Sequence, residues 1–164
     1  MIFFRRRHRF NRGFTLLEVL IVIAIIGTLA AIAIPNFISY RERARYAQAI
    51  QTLRTISTVL EAWAIDYGDH PDSLADAGLG GLRDPWGNPY QYLDIDLDPG
   101  LAPQDKTKVG DMRKDHSLVP VNSDYDLYSM GPDGKSKKPF TAKDSRDDIV
   151  RANNGGFFGR VSDY

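Results

Sequence analysis

From Phe14 to Ala33 every residue except Thr15, Glu18 and Thr28 is apolar or glycine. Crossing a bilayer takes about 20 such residues, so this run is expected to form a membrane-spanning helix. Gly27, Ala30, Ala31 and Ala33 are small enough for close helix packing, and Gly27 and Ala31 form a small-xxx-small pair. Pro35 lacks a backbone donor and crowds the carbonyl of Ala31, so a weakened stretch over Gly27 to Pro35 and a kink in the free subunit are expected.

Beyond Pro35 the pattern changes without stopping. Ala49, Leu53, Ile56, Leu60, Trp63 and Tyr67 recur every three or four residues, while Arg41, Glu42, Arg43, Arg45, Gln51, Arg54 and Glu61 occupy the other face. One helix over about residues 15–67, ~80 Å long at the α-helical rise, is expected. Gly68-Asp69-His70-Pro71 ends it, and Pro71–Ala77 is expected to add a short helical turn. Short strands are expected at Tyr90–Leu93, at Leu118–Val121 as an edge because of Pro120, and at Asp126–Met130. Residues 94–116 read as a polar loop or insertion, and everything from Gly131 onward reads as loop. The chain is therefore α+β, with a leader at 1–13, a transmembrane and assembly helix at 14–37 and a head at 38–164.

The formal net charge of zero hides an asymmetry. Arg5, Arg6, Arg7, Arg9 and Arg12 crowd the first thirteen residues with no acid among them; without them 16 basic residues face 21 acidic ones. Positive charge ahead of an apolar run places residues 1–13 on the cytoplasmic side and the head across the inner membrane in the periplasm. There is no cysteine to tie down the C-terminal part. No domain-wide basic face points to nucleic acid.

Glu18 is the anomaly. A carboxylate inside a bilayer segment costs about 2.5–3.5 kcal/mol on insertion scales, so it calls for a partner. Cutting the Gly13–Phe14 bond would create a new ammonium at Phe14, and the same group on a neighbouring copy can neutralise Glu18. That arrangement makes a filament. A second feature is chemical composition: Asp133, Asp144, Asp147 and Asp148 gather around one loop, the kind of hard-oxygen set that Ca2+ selects, although their spacing is not that of an EF-hand. No nucleophile elbow, P-loop, zinc-protease helix or cysteine nucleophile is present, and His8, His70 and His116 are isolated, so no enzyme is expected.

Arg12-Gly13-Phe14-Thr15-Leu16-Leu17-Glu18 resembles the signal of type IV pilins and type II secretion pseudopilins, with Gly27 and Pro35 matching the family's mid-segment glycine and later proline. The resemblance implies a pilin-like fold with a small antiparallel sheet, cleavage after Gly13 by a prepilin peptidase, and methylation of Phe14. Asp84-Pro85-Trp86-Gly87-Asn88-Pro89-Tyr90, Ser129-Met130-Gly131-Pro132-Asp133-Gly134 and Asp147-Asp148-Ile149 are similar to the head of the major type II secretion pseudopilin. There it implies a calcium ion held by the Met130 carbonyl and the side chains of Asp133, Asp147 and Asp148. It also implies further copies of the chain, minor pseudopilins, a secretion ATPase with its inner-membrane platform, and lipid as partners. A type IV pilus subunit and a single-span anchored enzyme or binding protein are the other readings open at this point.

Overall fold

The computed structural model describes residues 13–95 and 110–164, so the arginines of the leader and most of the expected insertion lie outside the described residues. Two compact units meet in the chain at Arg41 and Glu42. The helix α1, Leu16–Tyr67, contributes to both and ends where Gly68 adopts φ +86°.

In the first unit no residue from Phe14 to Phe37 is buried, and this stretch supplies the one described helix long and apolar enough to cross a membrane. The helical assignment runs unbroken through Gly27 and Pro35. Side chains bond to the backbone on both sides of the proline. Thr28 donates to the Ile25 carbonyl at 2.8 Å, Asn36 to Ile32 at 3.2 Å and Ser39 to Asn36 at 2.8 Å. Short polar side chains bonded back to the preceding turn in this way accompany bends in helices.

The second unit is built on the expected face of α1. Ala49, Leu53, Ile56 and Leu60 are at most 1% exposed and pack on Leu74, Tyr90, Tyr125, Leu127 and Ile149. The face ends sooner than its spacing suggests: Trp63 is half-buried, and Tyr67, 70% exposed, stacks on it with ring centroids 4.3 Å apart. Pro71–Ala77 forms turns rather than helix.

The sheet is an antiparallel meander of four strands in chain order: β1, Gln91–Asp94; β2, Tyr125–Ser129; β3, Ile149–Ala152; β4, Phe157–Arg160. Gln91 pairs with Tyr128, Tyr128 with Val150, and Val150 with Gly159. Side chains alternate between faces. Tyr125, Leu127 and Ile149 face the helix, while Val150 and Ala152 join Val121, Phe140 and Val161 in a second cluster. Leu118–Val121 is not a strand: Leu118 makes a lone bridge to Asp115, and Pro120 has no N–H to offer a ladder. The segment expected to be loop after Gly131 instead contains the β3–β4 hairpin. Its reversal uses left-handed Asn153, Asn154 and Gly155 (φ 54°, 52° and 87°), residue types that adopt this region at little cost.

Candidate functional site

The helix start is set locally. Thr15 precedes the first turn, and its hydroxyl accepts the N–H of Glu18 at 3.2 Å, the arrangement of a capping Thr followed three residues later by Glu. This leaves the Glu18 side chain free to serve elsewhere. It is exposed, and among the described residues its carboxylate has neither hydrogen bond nor ion pair. Phe14, 81% exposed, stands one residue before the cap. An apolar helix thus presents a carboxylate that nothing among the described residues satisfies.

Within the head, the three motifs of the sheet end interlock. Asp84 is buried. One carboxylate oxygen accepts the N–H groups of Trp86 (3.0 Å) and Asn88 (2.8 Å), and the other accepts the Ser129 hydroxyl at 2.6 Å. Gly87 closes this turn at φ +96°. Asn88 donates to the Gly131 carbonyl at 2.9 Å, and the Trp86 ring meets Tyr46 edge-on while its N–H reaches Glu42 at 3.4 Å. The turn therefore bonds α1, the end of β2 and the Gly131–Gly134 loop to one another, and Trp86 anchors the turn. Gly131 sits at φ +64°, and a Cβ there would lie 2.4 Å from the Asp147 carbonyl oxygen. Only glycine passes that point.

The residues implied as calcium ligands divide. Asp133 and Asp147 adjoin: Asp147 accepts the Asp133 N–H at 3.3 Å, while Asp133 accepts the N–H of Lys135 at 2.8 Å. Asp148 is committed elsewhere. It is fully buried; Arg113 donates to its Oδ2 at 2.6 Å, and the Ser136 hydroxyl donates to the same oxygen. Among the described residues no three acidic or histidine side chains come together, so any cation held here would draw on backbone carbonyls as well. Of the implied set, Asp133 and Asp147 adjoin, while Asp148 Oδ2 is taken by an arginine. Burial pushes the Asp148 carboxyl up to about 6, against the opposing pull of Ser136 and Arg113. Asp144 pairs with Lys137 at 3.1 Å.

A second ion pair joins β3 to the β2 entry. Arg151 forms a fork on Asp124 (2.6 and 2.8 Å) and lies over the Tyr125 ring at 3.9 Å. Burial alone would raise the Asp124 carboxyl, but the Arg151 hydrogen bonds hold it below the usual carboxylate range. Arg113 and Arg151 both escaped sequence reasoning, which had no periodicity around either to exploit. His70, isolated in the sequence, packs its ring 4.9 Å from that of Tyr125.

Comparison with known proteins agrees with this geometry. Residues 8–34 match the prokaryotic N-terminal methylation motif. The type II secretion system core protein G of Dickeya chrysanthemi is 32% identical over 170 residues, covering 90% of each chain. This chain belongs to the type II secretion system core protein G family. The Pseudomonas aeruginosa member is 29% identical over 150 residues, 79% of this chain and 89% of that one. The type IV major pilin of Myxococcus xanthus is 42% identical over 82 residues, half of this chain but 36% of the pilin. No solved structure matches. As a core protein G this chain is a pseudopilin, a structural subunit rather than an enzyme. It is membrane-anchored, is processed at its prepilin motif and assembles with its own kind into a filament.

Proposed function

We propose that this core protein G is cleaved between Gly13 and Phe14 and methylated at Phe14 by a prepilin peptidase. Its head lies in the periplasm, and Glu18 docks against the Phe14 amine of a neighbouring copy as each subunit leaves the inner membrane. Pairing removes a cost of about 2.5–3.5 kcal/mol that the lone carboxylate carries in lipid, so it favours addition at one end of the fibre and sets the axial step. The growing filament drives protein export, with a secretion ATPase, its membrane platform and minor pseudopilins as the other partners.

The observation that carries this reading is Glu18 itself, exposed on an apolar helix and without a partner among the described residues. The secretion reading is preferred to a type IV pilus because the resemblance to core protein G extends through the head, whereas the pilin match covers half of this chain. In cells, Glu18→Ala should enter the membrane and yield a mature N-terminus at Phe14 on sequencing, yet produce few or no filaments. Normal filament yield from Glu18→Ala would defeat the docking role. A membrane form that begins at Met1 would defeat the processing role.

A further inference from the structure

We propose that Arg113 acts as the internal cation of this head, taking over at Asp148 the loop-pinning role that the family resemblance gives to calcium. Arg113 is 3% exposed, and its guanidinium joins three segments that are distant in sequence. One Nη donates to Asp148 at 2.6 Å, where β3 begins. The other donates to the Ser136 hydroxyl and, at 2.9 Å, to the Lys137 carbonyl, both in the loop between Gly134 and Asp147. The backbone N–H of Arg113 is itself held, at 2.6 Å, by Asp126 of β2. Below and beside the guanidinium lie the rings of Tyr128 and Phe140, with centroids at 4.2 and 5.2 Å.

A metal ion pins a loop by drawing several oxygen atoms to one positive centre. Here one positive centre gathers the Asp148 carboxylate, the Ser136 hydroxyl and the Lys137 carbonyl, all oxygen acceptors. Two buried atoms of the pair stay unbonded, Nε of Arg113 and Oδ1 of Asp148. They are a donor and an acceptor on the same two side chains, and a side-on rotation of the guanidinium would join them. The orphan carboxylate oxygen therefore has its complement on Arg113 without a metal. Arg113 belongs to the stretch read from sequence as an insertion, so that stretch supplies the cation. Lys137 and Lys138 add positive charge nearby, pairing with Asp144 and Asp111 at 3.1 and 2.6 Å.

The test uses the full-length processed protein in detergent, melted with calcium chloride in excess or with EGTA, and titrated with calcium by calorimetry. The melting temperature should be the same in both conditions, and the calcium titration should show no saturable heat. Arg113→Met should melt roughly 10 °C lower in both conditions, because a buried carboxylate loses its partner. Arg113→Met combined with Asp148→Leu should regain most of that loss, since neither charge is then left alone. EGTA lowering the wild-type melting temperature, with Asp133→Ala abolishing the effect, would overturn the proposal. So would an unchanged melting temperature in Arg113→Met. Should Arg113→Met not fold, the wild-type melts and calorimetry decide the matter alone.

Discussion

Asp84→Ala removes the acceptor on which the Trp86 turn is built. The carboxylate receives two backbone N–H groups and one hydroxyl at 2.6–3.0 Å while almost entirely buried. Each hydrogen bond to a charged acceptor contributes about 1.5–3 kcal/mol, but truncation also removes the desolvation cost of the carboxylate itself. Three bonds at the low end of that range, less the relieved desolvation, leave a loss of about 3 kcal/mol. That corresponds to roughly 10 °C in melting temperature for a domain of this size. Asp84→Asn is the informative control. Its oxygen can accept both amide hydrogens while its NH2 donates to the Ser129 hydroxyl oxygen, so it should cost about 1 kcal/mol. Urea titration of the detergent-solubilised chain, followed by Trp86 fluorescence in a Trp63→Phe background, measures both. An Asp84→Ala loss below about 1 kcal/mol, or equal losses for Ala and Asn, would refute the view that this carboxylate organises the turn.

Two further outcomes follow from the same head. Gly131→Ala places a Cβ 2.4 Å from a backbone oxygen at φ +64°, and should lower stability by about 3 kcal/mol or more on urea titration, whereas Gly81→Ala, with open space around its Cβ position, should cost under about 1 kcal/mol. The Asp124 carboxyl is held below its ordinary range by Arg151, so the folded state binds its proton less readily than the unfolded chain does. Its contribution is present above the ordinary carboxylate range and is lost as pH falls through the folded value, and Asp124→Asn should flatten the acid limb of a stability-against-pH curve.

The parts legible from sequence are those with short-range causes. The prepilin signal is a contiguous string, and the core face of α1 follows from the spacing of Ala49, Leu53, Ile56 and Leu60 alone. Tyr125–Ser129 and Gln91–Asp94 lie within a residue of their expected places because each is flanked by turn chemistry. The β3–β4 hairpin was hidden by its own turn. Asn153 to Gly156 looks like a flexible tail in isolation, and only pairing of Ile149–Ala152 against β2 gives it a sheet to join. The Arg113–Asp148 pair bridges 35 residues and obeys no local periodicity, so nothing near either residue announces it. At Pro35 the helical assignment runs on past the missing donor, and a kink of the kind the sequence predicts would not interrupt it.

The most direct measurement is a helical reconstruction of assembled filaments at a resolution that shows side chains. The Glu18 carboxylate should lie within ion-pairing reach of the Phe14 nitrogen of an adjacent subunit, with residues 1–13 gone from every copy. A carboxylate turned toward lipid or solvent with no amine beside it, or filaments that keep the arginine-rich leader, would contradict the account.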